Sequence, residues 1–353
     1  MNKPMALITG VPGWLGTRLT RVLAEGLEDV EMFREGNPDR LIRCLVLPDQ
    51  DTTPIISIKG RVELIKGDLT KPESLSGFFK DAEGATLFHC AGVIHPDKGV
   101  RQFYDVNVEG TRTLIESAQN CGVKRLIHVS SNSPIGCNPS RSHLFNESSP
   151  CSPYMNYGKS KKLGEDLVNE AGNTGKIETV IIRPPWFYGP DQPPRQTLFF
   201  QMIRDGKAPI VGDGENRRSM AYVDNICHGL LLCEEVQEAN GQTYWIADHR
   251  PYTMNEIVDT IEKLLETEFS QKCAHKRMHL PGFMSDVAQL VDWGLQTAGI
   301  YQQKIHVLSE MNKNIACSVE KAKKELGYDP RISLEEGMRR SLRWVWDNLG
   351  TLK

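Results

Sequence analysis

Long apolar runs are missing from this 353-residue chain. None approaches the ~20 residues needed to cross a bilayer, so no membrane span is expected. The opening Met1-Asn2-Lys3-Pro4 leads into a glycine-rich turn, not into an apolar segment with a cleavage site, which argues against a secretory leader. The nine cysteines include no Cys-x-x-Cys pair. Scattered thiols predict buried, reduced side chains in a cytoplasm, and neither a disulfide frame nor a zinc ribbon. Positive charge is short as well: the formal net charge is −3, so no basic surface advertises nucleic acid or an anionic membrane as partner. His275 and His279 stand four apart with no evident carboxylate partner or third ligand, and no metal is expected. No internal repeat or low-complexity tract interrupts the chain.

What is present is ordinary for a globular protein, 39% hydrophobic and 25% charged. The length calls for one large domain or two. Met5 to Ile8 is a short apolar run ending in Gly10, Gly13 and Gly16, and Leu15 to Leu23 follows with an amphipathic pattern. Strand, tight turn and helix in that order form the context of a dinucleotide-binding turn. In that reading Gly10 permits the turn, Gly13 lets the backbone approach a pyrophosphate, and Gly16 lets the helix sit close on the strand. The helix N-terminus then faces the phosphates. The alternative is a merely structural glycine turn.

Downstream, strands and helices alternate. Strands are predicted at 43–47, 62–69, 85–92, 125–131, 178–183, 219–223 and 242–246, and helices at 105–120, 154–171, 224–235 and 254–266. The tail from Val319 predicts a helix, the turn Gly327-Tyr328-Asp329-Pro330, and a last helix through Trp344. Gly26 to Arg40 is expected to be a surface excursion, 138–153 a loop, and 186–217 loop-rich with one short helix at 199–204. This alternation predicts an α/β protein with a parallel sheet covered on both faces. Pro48 ends the second strand, and Asp49 and Asp51 follow with no Lys or Arg from Leu45 to Ile58. A ribose 2′-phosphate needs a basic partner, so NAD is favoured over NADP. The two aspartates serve equally well as solvated turn residues. His89 reads as a packed strand residue.

Tyr157 and Lys161 stand at i and i+4 on one predicted helix. A nearby ammonium favours the phenolate, and such a tyrosine can take the proton of a secondary alcohol or return it to a ketone. Ser131, at the neighbouring strand end, can hold the substrate oxygen. Tyr154 is the rival, but position 158 is glycine and denies it a lysine partner. A chance Tyr-x-x-x-Lys on a surface helix is the bland alternative.

Together these residues resemble the extended short-chain dehydrogenase/reductases, also called the NAD-dependent epimerase/dehydratase family. Thr9-Gly10-x-x-Gly13-x-x-Gly16, Tyr157-x-x-x-Lys161, Arg183-Pro184-Pro185-Trp186-Phe187-Tyr188-Gly189-Pro190 and Leu326-Gly327-Tyr328-Asp329-Pro330 are all similar to its motifs. The resemblance implies a Rossmann-type doubly wound parallel sheet with a smaller, mostly C-terminal substrate lobe. The NAD domain would comprise 1–185 and 218–250, the substrate lobe 186–217 and 251–345. It implies cofactor contacts from Gly10, Gly13, Trp14, Leu15, Gly16, Asp68, Leu69, Ala91, Gly92, Tyr157, Lys161 and Pro184. Catalytic residues would be Ser131, Tyr157 and Lys161, with Asn107 shaping its helix and relaying protons. Asp68 would meet the adenine, or else cap the segment starting near Pro72. The family also pairs helices 105–120 and 157–171 across a two-fold axis, which implies a homodimer using Val108, Leu114, Ile115, Leu163 and Leu167.

Two features point to different substrates. The 4-epimerase Arg-x-Gly-Asp run is missing between Phe269 and Val319, where Val287, Ala288, Leu290, Val291, Trp293 and Leu295 make an apolar helix face. That face resembles the 3β-hydroxysteroid and sterol dehydrogenase branch, or simply packs the lobe. Arg218 stands where the family contacts a sugar nucleotide. The favoured expectation is an NAD-dependent oxidoreductase acting at a secondary alcohol or ketone, with a sterol-like or other lipophilic substrate. The alternatives are a nucleotide-sugar epimerase or dehydratase, and a non-catalytic NAD(H)-binding sensor or scaffold.

Overall fold

Four of the seven central strands are buried along their whole length, and their sequences explain it. In the computed structural model, which describes residues 5–352, these are β1 (Ala6–Thr9), β2 (Ile42–Val46), β4 (Thr86–His89) and β5 (Arg125–Val129). Most of their residues are apolar on both sides, as a parallel sheet covered by helices on both faces demands. The edges are wetter: β3 (Val62–Lys66) is half-exposed, and β11 (Gln242–Trp245) is only half-buried at its start. With β6 (Glu178–Arg183) between, the order is β11-β6-β5-β4-β1-β2-β3, every pair parallel. The chain reverses direction across the sheet between β1 and β4, which opens a crevice at their C-terminal ends. Met1–Pro4, where no leader is expected, lies outside the described residues. Among those residues no helix is long and apolar enough to cross a membrane.

Helices α1 (Trp14–Glu25), α2 (Thr53–Ile56), α3 (Arg101–Tyr104), α4 (Thr111–Asn120) and α5 (Met155–Asn173) follow β1 to β5. Next along the chain come β7 (Trp186–Tyr188), α6 (Pro194–Arg204), β8 (Pro209–Val211), β9 (Arg217–Arg218) and β10 (Met220–Tyr222). Helix α7 (Val223–Glu235) returns to the sheet. Then come β12 (Tyr252–Thr253), α8 (Met254–Thr267), β13 (Met278–Leu280), α9 (Phe283–Thr297) and α10 (Gln303–Glu310). Helices α11 (Glu320–Leu326) and α12 (Leu334–Leu349) close the chain. Thr253 and Ser333 cap α8 and α12 by accepting from Glu256 N and Glu336 N. Asp248 ties the lobes together, accepting from Tyr188 OH at 2.7 Å, Tyr222 N at 3.1 Å and Asn225 Nδ2 at 3.0 Å.

Several expectations are overturned or qualified. The segment 26–40 does run over the surface, but it is anchored there: Leu27, Val30 and Phe33 are buried, and Arg40 pairs with Glu234 at 2.5 Å. Gly36 makes this possible, since a Cβ there would lie 2.3 Å from Ala24 O. The helix expected from 105 starts at Arg101 and passes through a π turn, Asp105–Gly110. The 186–217 stretch holds three short strands, and its helix starts at Pro194, not 199. Proline suits the first helical turn, where its missing N–H costs nothing. Not all cysteines are buried: Cys151 is exposed and Cys90, Cys121 and Cys137 are partly so. Val108, Leu114 and Ile115, assigned to a dimer face, pack inside the chain at 7%, 0% and 6% exposure. Of that set Leu163 alone is well exposed. The apolar stripe of α9 does not pack the lobe; most of it faces outward.

Candidate active site

The glycine turn comes first. Gly10 has φ +83, and a Cβ there would lie 2.6 Å from the Cys90 carbonyl carbon at the end of β4. Added Cβ atoms on Gly13 and Gly16 would lie 2.7 and 2.5 Å from Gly10 O. All three glycines are therefore required by the turn's own backbone packing. Helix α1 starts at Gly13 with no side-chain cap and no acidic residue in its first turn. Its uncapped N–H groups and positive dipole end suit a dinucleotide's phosphates. Leu15 is buried beneath, while Trp14 is tied across the cleft by its Nε1 to Pro190 O at 2.6 Å.

The other residues expected to contact a cofactor lie around this turn, toward the sheet's C-terminal edge. Asp68 closes a local turn, accepting from Thr70 N and Oγ1 at 2.9 and 2.8 Å; it does not cap the 72–75 turn, whose cap position is Lys71. Leu69 is buried against Gly110 of the π turn, and Pro184 is buried just past β6. Ala91 N donates to Thr9 Oγ1 at 3.2 Å. A Cβ on Gly92 would approach Asn107 Oδ1 to 3.4 Å and Lys161 Nζ to 3.9 Å, so these three positions converge. Asn107 sits in the π turn, where its side chain takes Val93 N at 2.7 Å and gives to Val93 O and Ser160 Oγ, both at 3.0 Å. It pins the β4 loop to α5.

Ser131 and Tyr157 lie side by side at this end of the sheet, and Lys161 stands one helical turn on from Tyr157. A Cβ on Gly158 would lie 2.5 Å from Ser133 O, so glycine there lets α5 press onto the 131–133 loop. Ser131 is thereby close enough to the Tyr157 phenol to draw its pKa down, while its own hydroxyl lies 3.4 Å from Asn132 Oδ1 and Ser133 Oγ. Burial outweighs that pull and pushes Tyr157 up to about 12, the reverse of the depression expected from Lys161. The lysine is itself buried: loss of hydration lowers it to about 8, opposed by Glu165 and Cys90. Its Nζ donates to Val129 O at 2.9 Å and lies 3.3 Å from His128 Nε2. His89 is a packed residue as expected, held by Thr9 and Thr111 at 2.7 and 2.9 Å and depressed to about 3 by burial. Tyr154 is turned away, its hydroxyl 2.8 Å from Ser309 Oγ.

A cleft at the topological switch point, with an uncapped helix start on one side and Ser131, Tyr157 and Lys161 on the other, has a counterpart among known proteins. Residues 6–247 match the profile of the NAD dependent epimerase/dehydratase family. The chain belongs to that family. It is 46% identical over 351 residues to an uncharacterised protein of Sinorhizobium fredii, covering 99% of this chain and 97% of that one. A 3beta-hydroxysteroid-dehydrogenase/decarboxylase of Arabidopsis thaliana is 29% identical over 359 residues, 95% of this chain and 78% of its own. Among solved structures, the UDP-glucose 4-epimerase of Thermotoga maritima superposes with a TM-score of 0.76 at 19% identity, covering 99% and 100% of the two chains.

Within this family member the wall facing Tyr157 comes from residues that motif reading did not select. Phe103 lies tilted 5.8 Å from the Tyr157 ring and meets Tyr301 edge-on at 5.6 Å. Glu310 acts by charge on Tyr157, Tyr301 and Arg218, and Arg195 acts on Tyr157 and Tyr301. Arg218 donates to Glu310 O at 2.5 Å, while its buried Nε has no partner among the described residues. No local spacing announces Glu310 or Arg195. Beside this site, a cavity of about 800 Å³ opens between Cys137, Tyr154, Asn156, Trp293 and Gln296; neither Tyr157 nor Ser131 lines it. Among the described residues no cluster could hold a metal ion. His275 nevertheless has the carboxylate partner that was not anticipated, Glu266 at 2.7 Å.

Proposed function

We propose that this protein is an NAD-dependent oxidoreductase acting at a secondary alcohol or ketone carbon of a lipophilic, sterol-like substrate. The observation that carries the reading is that Ser131 stands beside the Tyr157 phenol, with Lys161 one helical turn on. Bound NAD supplies the hydride acceptor, or the donor in its reduced form. Residues 1–185 and 218–250 hold the dinucleotide, and 186–217 with 251–345 enclose the substrate. Ser131 orients the substrate oxygen. Tyr157, protonated at neutral pH because burial raises it, gives its proton to that oxygen in reduction and takes it back in oxidation. Lys161 holds the nicotinamide ribose, and its charge favours the tyrosine anion.

The lipophilic substrate is supported by the aromatic surroundings of Tyr157, where Phe103 and Tyr301 pack, and by the relatives of the steroid dehydrogenase kind that match 95% of the chain. Arg218, with its unpartnered Nε, favours the second reading, a nucleotide-sugar epimerase or dehydratase. A panel of sterols, other alcohols and sugar nucleotides, followed at the reduced-nicotinamide absorbance band, separates the two. Net absorbance change with a sterol or alcohol supports the first reading; sugar-nucleotide turnover without net change rejects it. NAD is preferred over NADP because no Lys or Arg lies between Leu45 and Ile58, and tighter NADP binding in a titration would overturn that. The homodimer proposal now rests on Leu163 and its neighbours on α5, and Leu163→Glu should lower the mass seen by light scattering.

A further inference from the structure

The helix that carries Tyr157 does not cap itself. A helix start leaves its first N–H groups without intrahelical partners, and a Ser, Thr, Asp or Asn just before it usually takes one of them. In α5 that position is Tyr154, which offers the first turn no side-chain acceptor. Met155 then opens the helix with φ +53, in the left-handed region that side chains rarely adopt. The missing acceptor arrives from 140 positions along the chain. Gln296, on α9 in the C-terminal lobe, accepts through Oε1 from Asn156 N at 3.1 Å and from Asn156 Nδ2 at 3.0 Å. Asn156 immediately precedes Tyr157, and its Oδ1 is taken by Tyr104 OH at 2.7 Å.

A buried carboxylate fixes the amide in this sense. Gln296 Nε2 donates to both oxygens of Asp292, each at 3.0 Å, and Asp292 Oδ2 also binds His306 Nδ1 at 2.7 Å. Gln296 is 4% exposed, Asp292 0% and His306 6%. With the amide turned over, its NH2 would face the Asn156 donors and its oxygen would face a carboxylate. Filling the space between α9 and α5 requires no such orientation. Capping does.

We propose that Gln296 is a positioning residue, which caps α5 from the C-terminal lobe and thereby sets where Tyr157 stands against Ser131. It acts through Asn156 and not on the reacting atoms. Because the cap belongs to another helix, the tyrosine is in place only while α9 is docked on α5. The inference rests on the proton-transfer role proposed above for Tyr157.

Gln296→Met fills similar space without the acceptor. Turnover should fall about 10- to 100-fold, since a misplacement of about 1 Å can cost ~10²-fold. NAD should bind as before, because the glycine turn is untouched. Against the residual rate of Tyr157→Phe the same change should cost nothing further, as expected only of a residue that acts through the tyrosine. Asn156→Ala keeps the backbone N–H and should cost less than Gln296→Met. Hydrogen exchange read by mass spectrometry needs no substrate: Gln296→Met should speed exchange in 154–160 and leave β4 and β5 as slow as in the parent. Unchanged exchange in 154–160 overturns the cap, and so does acceleration throughout the chain, which would make Gln296 a general support of the fold. A Gln296→Met enzyme at full rate overturns the positioning role, as does a loss that adds to that of Tyr157→Phe. If the parent turns over no compound of the panel, the proposed reaction falls, while exchange still decides for or against the cap.

Discussion

Lys161 Nζ lies 3.3 Å from Nε2 of His128 and donates to Val129 O at 2.9 Å. The ammonium is thus held from beneath by β5. For His128 Nε2 to accept, its proton must sit on Nδ1, which is buried without a partner among the described residues. Burial and the Lys161 charge keep the His128 ring well below its usual pKa, and so neutral. A neutral acceptor stabilises the ammonium without discharging it.

Tyr157→Phe removes one hydroxyl and leaves the ring against Phe103. Turnover should fall ~10²–10⁴-fold while NAD affinity survives. Tyr154→Phe is the control: it loses the bond to Ser309 and should cost about 1 kcal/mol of stability with little loss of rate. Steady-state kinetics and denaturation of both variants check this, and equal rate losses would remove the proton-transfer role from Tyr157.

Lys161→Met keeps the buried stem and deletes the charge. NAD should bind at least ~10-fold more weakly by calorimetric titration, since a charge-assisted contact to the ribose is lost. Unchanged affinity would mean that the side chain stays on Val129 and never reaches the cofactor.

Glu165 and Arg183 form a bidentate pair, 2.9 and 2.7 Å, at 2% and 6% exposure. Glu165→Ala leaves the guanidinium buried and unpaired, so unfolding in urea should occur with about 3–5 kcal/mol less stability. Glu165→Gln should cost less, because one acceptor remains. Near-equal stability of the alanine variant and the parent would contradict this account.

Stability should decline as pH falls below ~6.5. His89 is depressed to about 3, His228 to about 4, and His128 well below normal, in each case chiefly by burial. The unfolded chain takes up these protons first, near pH 6.5, so each histidine removes up to about 1.4 kcal/mol per pH unit until its folded pKa is reached. Asp248, raised to about 6 by burial, works the other way between about pH 4 and 6, as does His306 at higher pH, raised against burial by its bond to Asp292; His95, depressed to about 4 chiefly by burial, makes it two groups against four. Thermal melts from pH 7.5 to 5 should show a falling midpoint; a flat profile would mean that these rings are not buried neutral.

What the chain alone determines is local. The apolar runs that become β1, β2, β4, β5 and β6, the three glycines, and the one-turn spacing of Tyr157 and Lys161 are set within a few residues of one another. Backbone sterics and helical periodicity suffice to read them. Tertiary structure decides what meets across the sheet. His128 comes under Lys161 because α5 packs over β5, and Glu310 faces Tyr157 across more than a hundred residues of intervening chain. The 186–217 stretch resisted reading because its helix starts on a proline and its strands are two or three residues long. Helix α9 states the division most sharply. Its sequence defines an apolar face and a polar face, but periodicity carries no sign for inside and outside. That sign came from Ser309, His306 and Asn156, which offer bonds to the polar face alone.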